Sequence, residues 1–215
     1  FSKKTPSIIV IFQSFLKSKM DDDSILKTLS LIDSDYLLHV GSFDKRKDLI
    51  TLVKAFKLLK EDAKNKHLKL VLAGKKILNG NAEVLNELER YILKNNLSKS
   101  VLMTGYLSNA EISSLYKKAL IYVFPSIEEG FGIPILEAFE MKTPVVTSNA
   151  GAMVEVAQGA AEHYNAGDYI ELFKTLTKLI ISKPERTYLI EKGSKRLKDF
   201  SREKFIDDYE QLILK

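Results

Sequence analysis

The sequence predicts an α/β fold, a Rossmann-like doubly wound parallel sheet of about six strands with helices on both faces. Three observations carry that expectation. Short apolar runs bounded by turns alternate along the chain with helix-length amphipathic stretches, which is the pattern of a parallel sheet buried on both sides. Four of the runs are followed by Gly41, Gly74, Gly105 and Pro125, residues that stop a strand and turn the chain. The 215 residues suit one domain of this kind and are few for two.

The elements follow in order. Ser7 to Phe15 is apolar enough for either a strand or a buried helix, and Asp21-Asp22-Asp23-Ser24 offers caps for a helix from Ile25 to Leu31. The first well-bounded strand is Tyr36 to Val40, and an amphipathic helix from Leu49 to Leu59 leads to a second strand, Lys69 to Ala73. A helix over Ala82 to Asn95, a strand over Val101 to Thr104 and a helix over Asn109 to Lys118 repeat the unit. The apolar run Ile121 to Phe124 is a fourth strand. Pro134, preset for the first turn of a helix because it has no amide hydrogen to leave unpaired, marks a helix from Pro134 to Met141. Val145 to Thr147 and Ala161 to Tyr164 complete the strands, and helices over Tyr169 to Ile181, Pro184 to Leu197 and Arg202 to Leu214 complete the chain. No internal repeat or low-complexity linker is present. Ligands of such sheets bind at the carboxyl ends of the strands, where the four turn residues fall.

Composition excludes several classes. No apolar stretch reaches the roughly 18 residues of a membrane span. The basic and apolar N-terminus, Phe1 to Phe12, has a short apolar run and no small-residue cleavage site, which argues against a signal peptide. The chain has no cysteine, so disulfides and thiolate metal sites are excluded, as suits a cytoplasmic protein. Net charge is +5, with basic clusters at Lys45-Arg46-Lys47, Lys75-Lys76 and Lys117-Lys118. Solvated faces account for most of these lysines, and an anionic ligand or membrane surface is the alternative. No nucleic-acid partner is expected, because no reader motif is present and the aromatics lie in apolar patterns. His67 and His163 lack partners at metal-ligand spacing, so no metal site is expected, and His39, inside an apolar strand, reads as a satisfied core imidazole.

The most informative segment is Glu128-Glu129-Gly130-Phe131-Gly132-Ile133-Pro134-Ile135-Leu136-Glu137-Ala138-Phe139. A Gly-x-Gly turn opens into a helix, so free backbone amides face whatever lies before the helix, and an anion held there has Glu129 on one side and Glu137 on the other. A sugar nucleotide has that form: diphosphate in the middle, sugar at one end and ribose at the other. Glu129 also reads as an exposed loop acid, and Glu137, placed in the first helical turn, also reads as a stabiliser of the helix end. Arg46 and Lys47 supply two adjacent cations for two phosphates, or form an ordinary solvated turn.

This segment, with Lys142-Thr143-Pro144-Val145-Val146-Thr147-Ser148 after it, resembles the Glu-x7-Glu signature of the retaining GT-B glycosyltransferases of family 4, the glycosyl transferases group 1. Val40-Gly41-Ser42-Phe43-Asp44-Lys45-Arg46-Lys47-Asp48-Leu49 is similar to the diphosphate-binding loop of that family, and Phe200-Ser201 through Tyr209 to its closing helix. The resemblance covers residues 36 to 215. It implies the carboxyl-terminal, donor-binding half of a GT-B enzyme. Residues 1–35 are then a remnant or linker, 36–198 the nucleotide-sugar-binding domain and 199–215 its closing helix.

The resemblance further implies that Glu129 is the catalytic residue contacting the donor sugar and that Glu137 grips the ribose hydroxyls. Main-chain amides of Gly130, Phe131, Gly132 and Ile133 would meet the diphosphate, Arg46 and Lys47 its charges, and the main chain near Leu107 the base. Ser42 stands where many members carry an arginine, which shifts the load to Arg46 and Lys47. The reaction implied is metal-independent transfer of a sugar from a nucleotide-diphosphate sugar to a glycan or lipid-linked acceptor, in cell-surface polysaccharide synthesis. The partner implied is an N-terminal acceptor-binding domain or subunit outside this sequence, with the full enzyme at the inner face of the membrane. Two alternatives use the same cradle: a GT-B-like sugar-nucleotide epimerase and a non-enzymatic nucleotide-binding subunit. A dinucleotide-dependent dehydrogenase is excluded, because Gly41-Ser42-Phe43-Asp44 lacks Gly-x-Gly-x-x-Gly.

Overall fold

The structure, a computed structural model, describes residues 23–75, 82–201, 203, 204, 206 and 210. The expectations for Ser7 to Phe15, for Asp21, Asp22 and Lys76, and for most of the Arg202 to Leu214 helix lie outside the described residues. Within them the chain runs α1 (Ser24–Thr28), β1 (Tyr36–Val40), α2 (Leu49–Glu61), β2 (Lys69–Ala73), α3 (Ala82–Lys94), β3 (Val101–Gly105), α4 (Asn109–Lys118), β4 (Ile121–Phe124), α5 (Ile133–Glu140), β5 (Val145–Ser148), α6 (Ala152–Ala157), β6 (Glu162–Tyr164), α7 (Tyr169–Ile181) and α8 (Lys183–Arg196). Short 3-10 turns stand at Lys45–Lys47, Ala63–Asn65 and Leu197–Phe200.

The strands form one parallel sheet in the order β3-β2-β1-β4-β5-β6. The chain builds outward from β1 to β3, then returns to the other side of β1 for β4, so the order reverses between β1 and β4. In sheets of this type the crevice outside the carboxyl ends at that reversal is where ligands bind.

Both faces are covered, as the strand patterns require. In β1, Tyr36 and Leu38 point into a core shared with Tyr122, Phe124, Tyr116, Leu136 and Phe139, while Leu37 points the other way, into a core shared with Val123, Phe56, Leu72 and Leu176. Alternate residues of one strand therefore feed opposite layers. Ile25, Leu26 and Leu31 are buried in the first of these layers, ahead of β1 in the sequence.

Several boundaries differ from the expected ones. β5 runs through Ser148 because Ser148 pairs with Tyr164, and its hydroxyl donates to the Ser126 carbonyl at 2.5 Å. α6 is a six-residue helix with no counterpart in the sequence reading; Gly151 before it and Gly159 just after it mask its short period. α5 starts at Ile133, so Pro134 is its second residue and Glu137 its fifth, beyond the first turn. Beyond Ser201 the described residues Glu203, Lys204, Ile206 and Glu210 are helical. No helix among the described residues is long and apolar enough to cross a membrane.

The carboxyl ends of β1 and β2 touch through backbone alone. A Cβ placed on Gly74 would lie 1.8 Å from the carbonyl oxygen of Gly41, and the Gly41 amide already donates to Ala73 at 2.9 Å. The obstacle is main chain just past the end of β1, which has no rotamer to change. Gly74→Ala is expected to destabilise the domain by about 3 kcal/mol or more, at the upper end of overpacking costs. A urea unfolding midpoint equal to that of the parent protein would refute this.

Candidate functional site

Two loops meet at the reversal point. The loop after β1 carries Gly41 to Asp48, and the loop after β4 carries Pro125 to Gly132. The amide of Ile127 donates to the Arg46 carbonyl at 2.8 Å, which stitches the loops together through main chain. Lys47 and Glu129 form an ion pair across the same gap, with side chains only 10% and 14% exposed. The Lys47 ammonium also lies 5.0 Å from the centre of the Phe124 ring at the end of β4. A cation and a carboxylate are thus held with little water around them, where each is costly if its partner is removed.

Local chemistry explains the shape of the first loop. Asp44 caps the 3-10 turn by accepting from the Arg46 amide at 3.0 Å through Oδ1, and through Oδ2 it accepts from the Ser42 hydroxyl at 2.6 Å. Ser42 is thereby committed to loop architecture. The Arg46 guanidinium sits 3.5 Å from Asp44 with 53% of its side chain exposed, so in this loop Lys47 points into the crevice and Arg46 stands at its rim.

In the second loop Gly132 has φ of 98°, the left-handed conformation that a glycine adopts without penalty, and this bend delivers the chain into α5. No side chain caps that helix start among the described residues. Pro134 has no amide hydrogen and the Ile135 amide donates to the Gly132 carbonyl at 2.9 Å, so the amide at the head of the helix that remains for an anion is that of Ile133. Gly130 behaves differently: its backbone has no positive φ and an added Cβ would have no atom of the described residues within 4 Å. The protein itself makes no demand for glycine there. Phe131 is anchored by an edge contact with Phe200, 5.8 Å between ring centres, and Arg196 covers the other ring at 4.5 Å. Ile133 is exposed at the head of the helix.

Glu137 lies on the inner side of α5, half-buried, where loss of water raises its carboxyl above the ordinary range. The Tyr116 hydroxyl, 3.5 Å from Oε2, pulls in the opposite direction by favouring the charged form. Leu107 follows β3 at the far side of the crevice with its side chain buried in the core, so only its main chain faces outward chemistry. Ser108 beside it caps α4 in a reciprocal pair with Glu111.

His39 is buried, as a core imidazole should be, but it is satisfied at one nitrogen only. Nδ1 lies 3.2 Å from the Val123 carbonyl and Nε2 has no partner among the described residues. Burial pushes its pKa down to about 4, so the ring is neutral at physiological pH. Among the described residues no three or more His, Asp or Glu side chains gather in a way that could hold a metal ion.

The structure therefore brings Lys47 and Glu129 together, places the Gly130 to Ile133 main chain and Glu137 on the same loop and helix, and leaves Arg46 and Leu107 at the edges. Asp44, Tyr116 and Phe200 also shape the site without having been singled out from the sequence. A capping aspartate, a core tyrosine and a core phenylalanine look the same in sequence whatever they support.

A family model described as Glycosyl transferases group 1 matches residues 23–196. The chain is 31% identical over 136 residues to O-antigen chain mannosyltransferase B of Escherichia coli, an alignment that covers 63% of this chain and 34% of that protein. Among solved structures, the C-terminal domain of a glycosyl transferase group 1 family protein, LpcC, from Francisella tularensis superposes with a TM-score of 0.71 at 21% identity, covering 82% of this chain and 90% of that one. Anabaena HepE in complex with UDP superposes with a TM-score of 0.78 at 17% identity, covering 89% of this chain and 51% of that one. At such identities these likenesses concern the fold. The matched region spans about a third or less of the length of the first curated relatives.

Proposed function

The chain belongs to the glycosyl transferases group 1 family, and on that premise we propose that it is the donor-binding, carboxyl-terminal half of a retaining GT-B enzyme. Its substrate is a nucleotide-diphosphate sugar, and the enzyme passes the sugar to a glycan or lipid-linked acceptor in surface polysaccharide synthesis. The O-antigen mannosyltransferases among its relatives support that acceptor class. The nearly complete cover of a solved chain described as a C-terminal domain supports the half-enzyme reading.

The observation that carries the assignment is the Lys47–Glu129 pair at the strand reversal, directly ahead of the uncapped start of α5. A diphosphate at that helix start takes over Lys47, and the sugar attached to it takes over Glu129. Each half of the ion pair then exchanges one partner for another of matching chemistry, which limits the desolvation cost of binding. Glu137, farther along α5, accepts from the vicinal hydroxyls of the ribose. Leaving-group charge that develops on the diphosphate is met by Lys47, by Arg46 and by the amides of residues 131 to 133 in a partly dry cleft. No metal ion is required for these roles. The front-face course of the reaction, with a donor phosphate oxygen helping to take the acceptor proton, follows the family resemblance.

Calorimetric titration of the full-length enzyme with nucleoside diphosphate and with nucleoside, for uridine, guanosine and adenosine, tests the cation assignment. Replacing Arg46 and Lys47 together by alanine is expected to weaken the diphosphate by about 1.5–3 kcal/mol per charged hydrogen bond lost and to leave the nucleoside nearly unaffected. Lys47→Ala alone should account for most of the loss, since Arg46 is half exposed and tied to Asp44. Equal weakening of both ligands would show that the loop does not bind the phosphates.

A further inference from the structure

The tyrosine behind Glu137 is held more firmly than core packing requires. Tyr116 lies on α4 and is fully buried, with its ring 5.0 Å from that of Tyr122 in β4. Its main-chain carbonyl accepts from the Thr143 hydroxyl at 2.7 Å, just past the end of α5. At the other end of α5 its phenolic hydroxyl lies 3.5 Å from Oε2 of Glu137 and 3.5 Å from the Pro134 carbonyl. The Tyr122 hydroxyl is a further hydrogen-bond partner of the Tyr116 hydroxyl, so its one proton is divided among several acceptors, and shared arrangements of this kind are longer than simple hydrogen bonds. Phenylalanine would fill the same volume. The hydroxyl, which must find partners when buried, has the Glu137 carboxylate among them.

We propose that Tyr116 is a positioning residue that holds the Glu137 carboxylate in the orientation that receives the two vicinal hydroxyls of the donor ribose. The inference rests on the donor-site reading of Glu137 given above. A carboxylate offers about four lone-pair sites on two oxygens, so one contact from behind at Oε2 fixes its plane and leaves acceptor capacity toward the crevice. Without that contact the glutamate keeps its charge but regains rotamer freedom, and the ribose must order it on binding. The Tyr116 contact also favours the ionised form against the burial that opposes it, which suits an acceptor of two donated protons.

The test uses the full-length enzyme with UDP, GDP and ADP, each titrated beside its 2′,3′-dideoxy counterpart. The parent enzyme is expected to prefer the ribose form of the base it binds by about tenfold or more. Tyr116→Phe should reduce that preference by about 3- to 10-fold through weaker binding of the ribose form alone, leaving the dideoxy form as in the parent. In a Glu137→Gln background the same change should have no further effect on the ratio. A purely packing role would weaken both ligands alike, and that result, or an unchanged preference, overturns the proposal. The unchanged dideoxy ligand also shows that the variant is folded. Absence of any ribose preference in the parent enzyme would instead remove the Glu137 assignment itself, and the positioning role with it; a parent preference that survives Tyr116→Phe would remove the positioning role alone.

Discussion

Replacing Glu129 by alanine in the full-length enzyme is expected to lower kcat by about 10²–10³-fold, the range seen when one transition-state contact is deleted from a preorganised site. Affinity for the nucleoside diphosphate should hold or rise in the same variant. In the free domain Glu129 occupies Lys47, and a diphosphate has to displace it. Removing the carboxylate leaves Lys47 partly buried and unpaired, a state that an incoming phosphate relieves. The two effects therefore run in opposite directions, which separates a role at the sugar from general damage to the loop. Glu129→Gln, which keeps the volume and lowers the charge, should behave in the same sense. Turnover near that of the parent enzyme in both variants would end the assignment of Glu129 to the sugar.

A polypeptide of residues 1–215 by itself is expected to bind nucleoside diphosphate and to transfer sugar only at background rate. The described residues form a single six-stranded sheet, and its crevice opens at the carboxyl ends of β1 and β4 with no second sheet among those residues to face it. Under the donor-half reading, the helix start of α5 and Lys47 suffice to hold a diphosphate, while the attacking hydroxyl has nothing to orient it. Orientation of two reactants is worth about 7–11 kcal/mol of a barrier, so on that reading a facing acceptor domain would supply a rate factor that no residue of this crevice can replace. The comparison is made between this polypeptide and the full-length enzyme, with product followed by mass spectrometry and the preparation shown to contain no partner chain. Robust transfer by the isolated polypeptide would refute the half-enzyme reading.

Much of the fold follows from local pattern. The apolar runs of β1, β2 and β4 are short, bounded by turns and buried on both faces, so their limits in the sequence are their limits in the structure. Helices with a strong amphipathic period, such as α3 and α7, were equally legible. α6 was not, because six residues between glycines offer too little period to separate a helix from a loop. The ends of β5 and β6 depend on the neighbouring strand with which they pair, and pairing is not a local property.

The sequence by itself determined the parallel α/β class, the Gly-x-Gly approach to α5 and the set of charged residues on the two loops, because these depend on period, chirality and spacing along the chain. Only the tertiary structure decided how those residues meet. Lys47 and Glu129 are 82 positions apart and touch because β1 and β4 are neighbours at the reversal of strand order. Arg46, adjacent to Lys47 and equal to it on paper, stays at the rim of the crevice, half exposed, where Asp44 accepts from its amide and pairs with its guanidinium. Glu137 moved beyond the first helical turn once α5 began at Ile133, and its contact with Tyr116 crosses from one helix to another. Charge and propensity are carried by single residues, whereas burial and partner choice are properties of the packed sheet and appear only when its layers close.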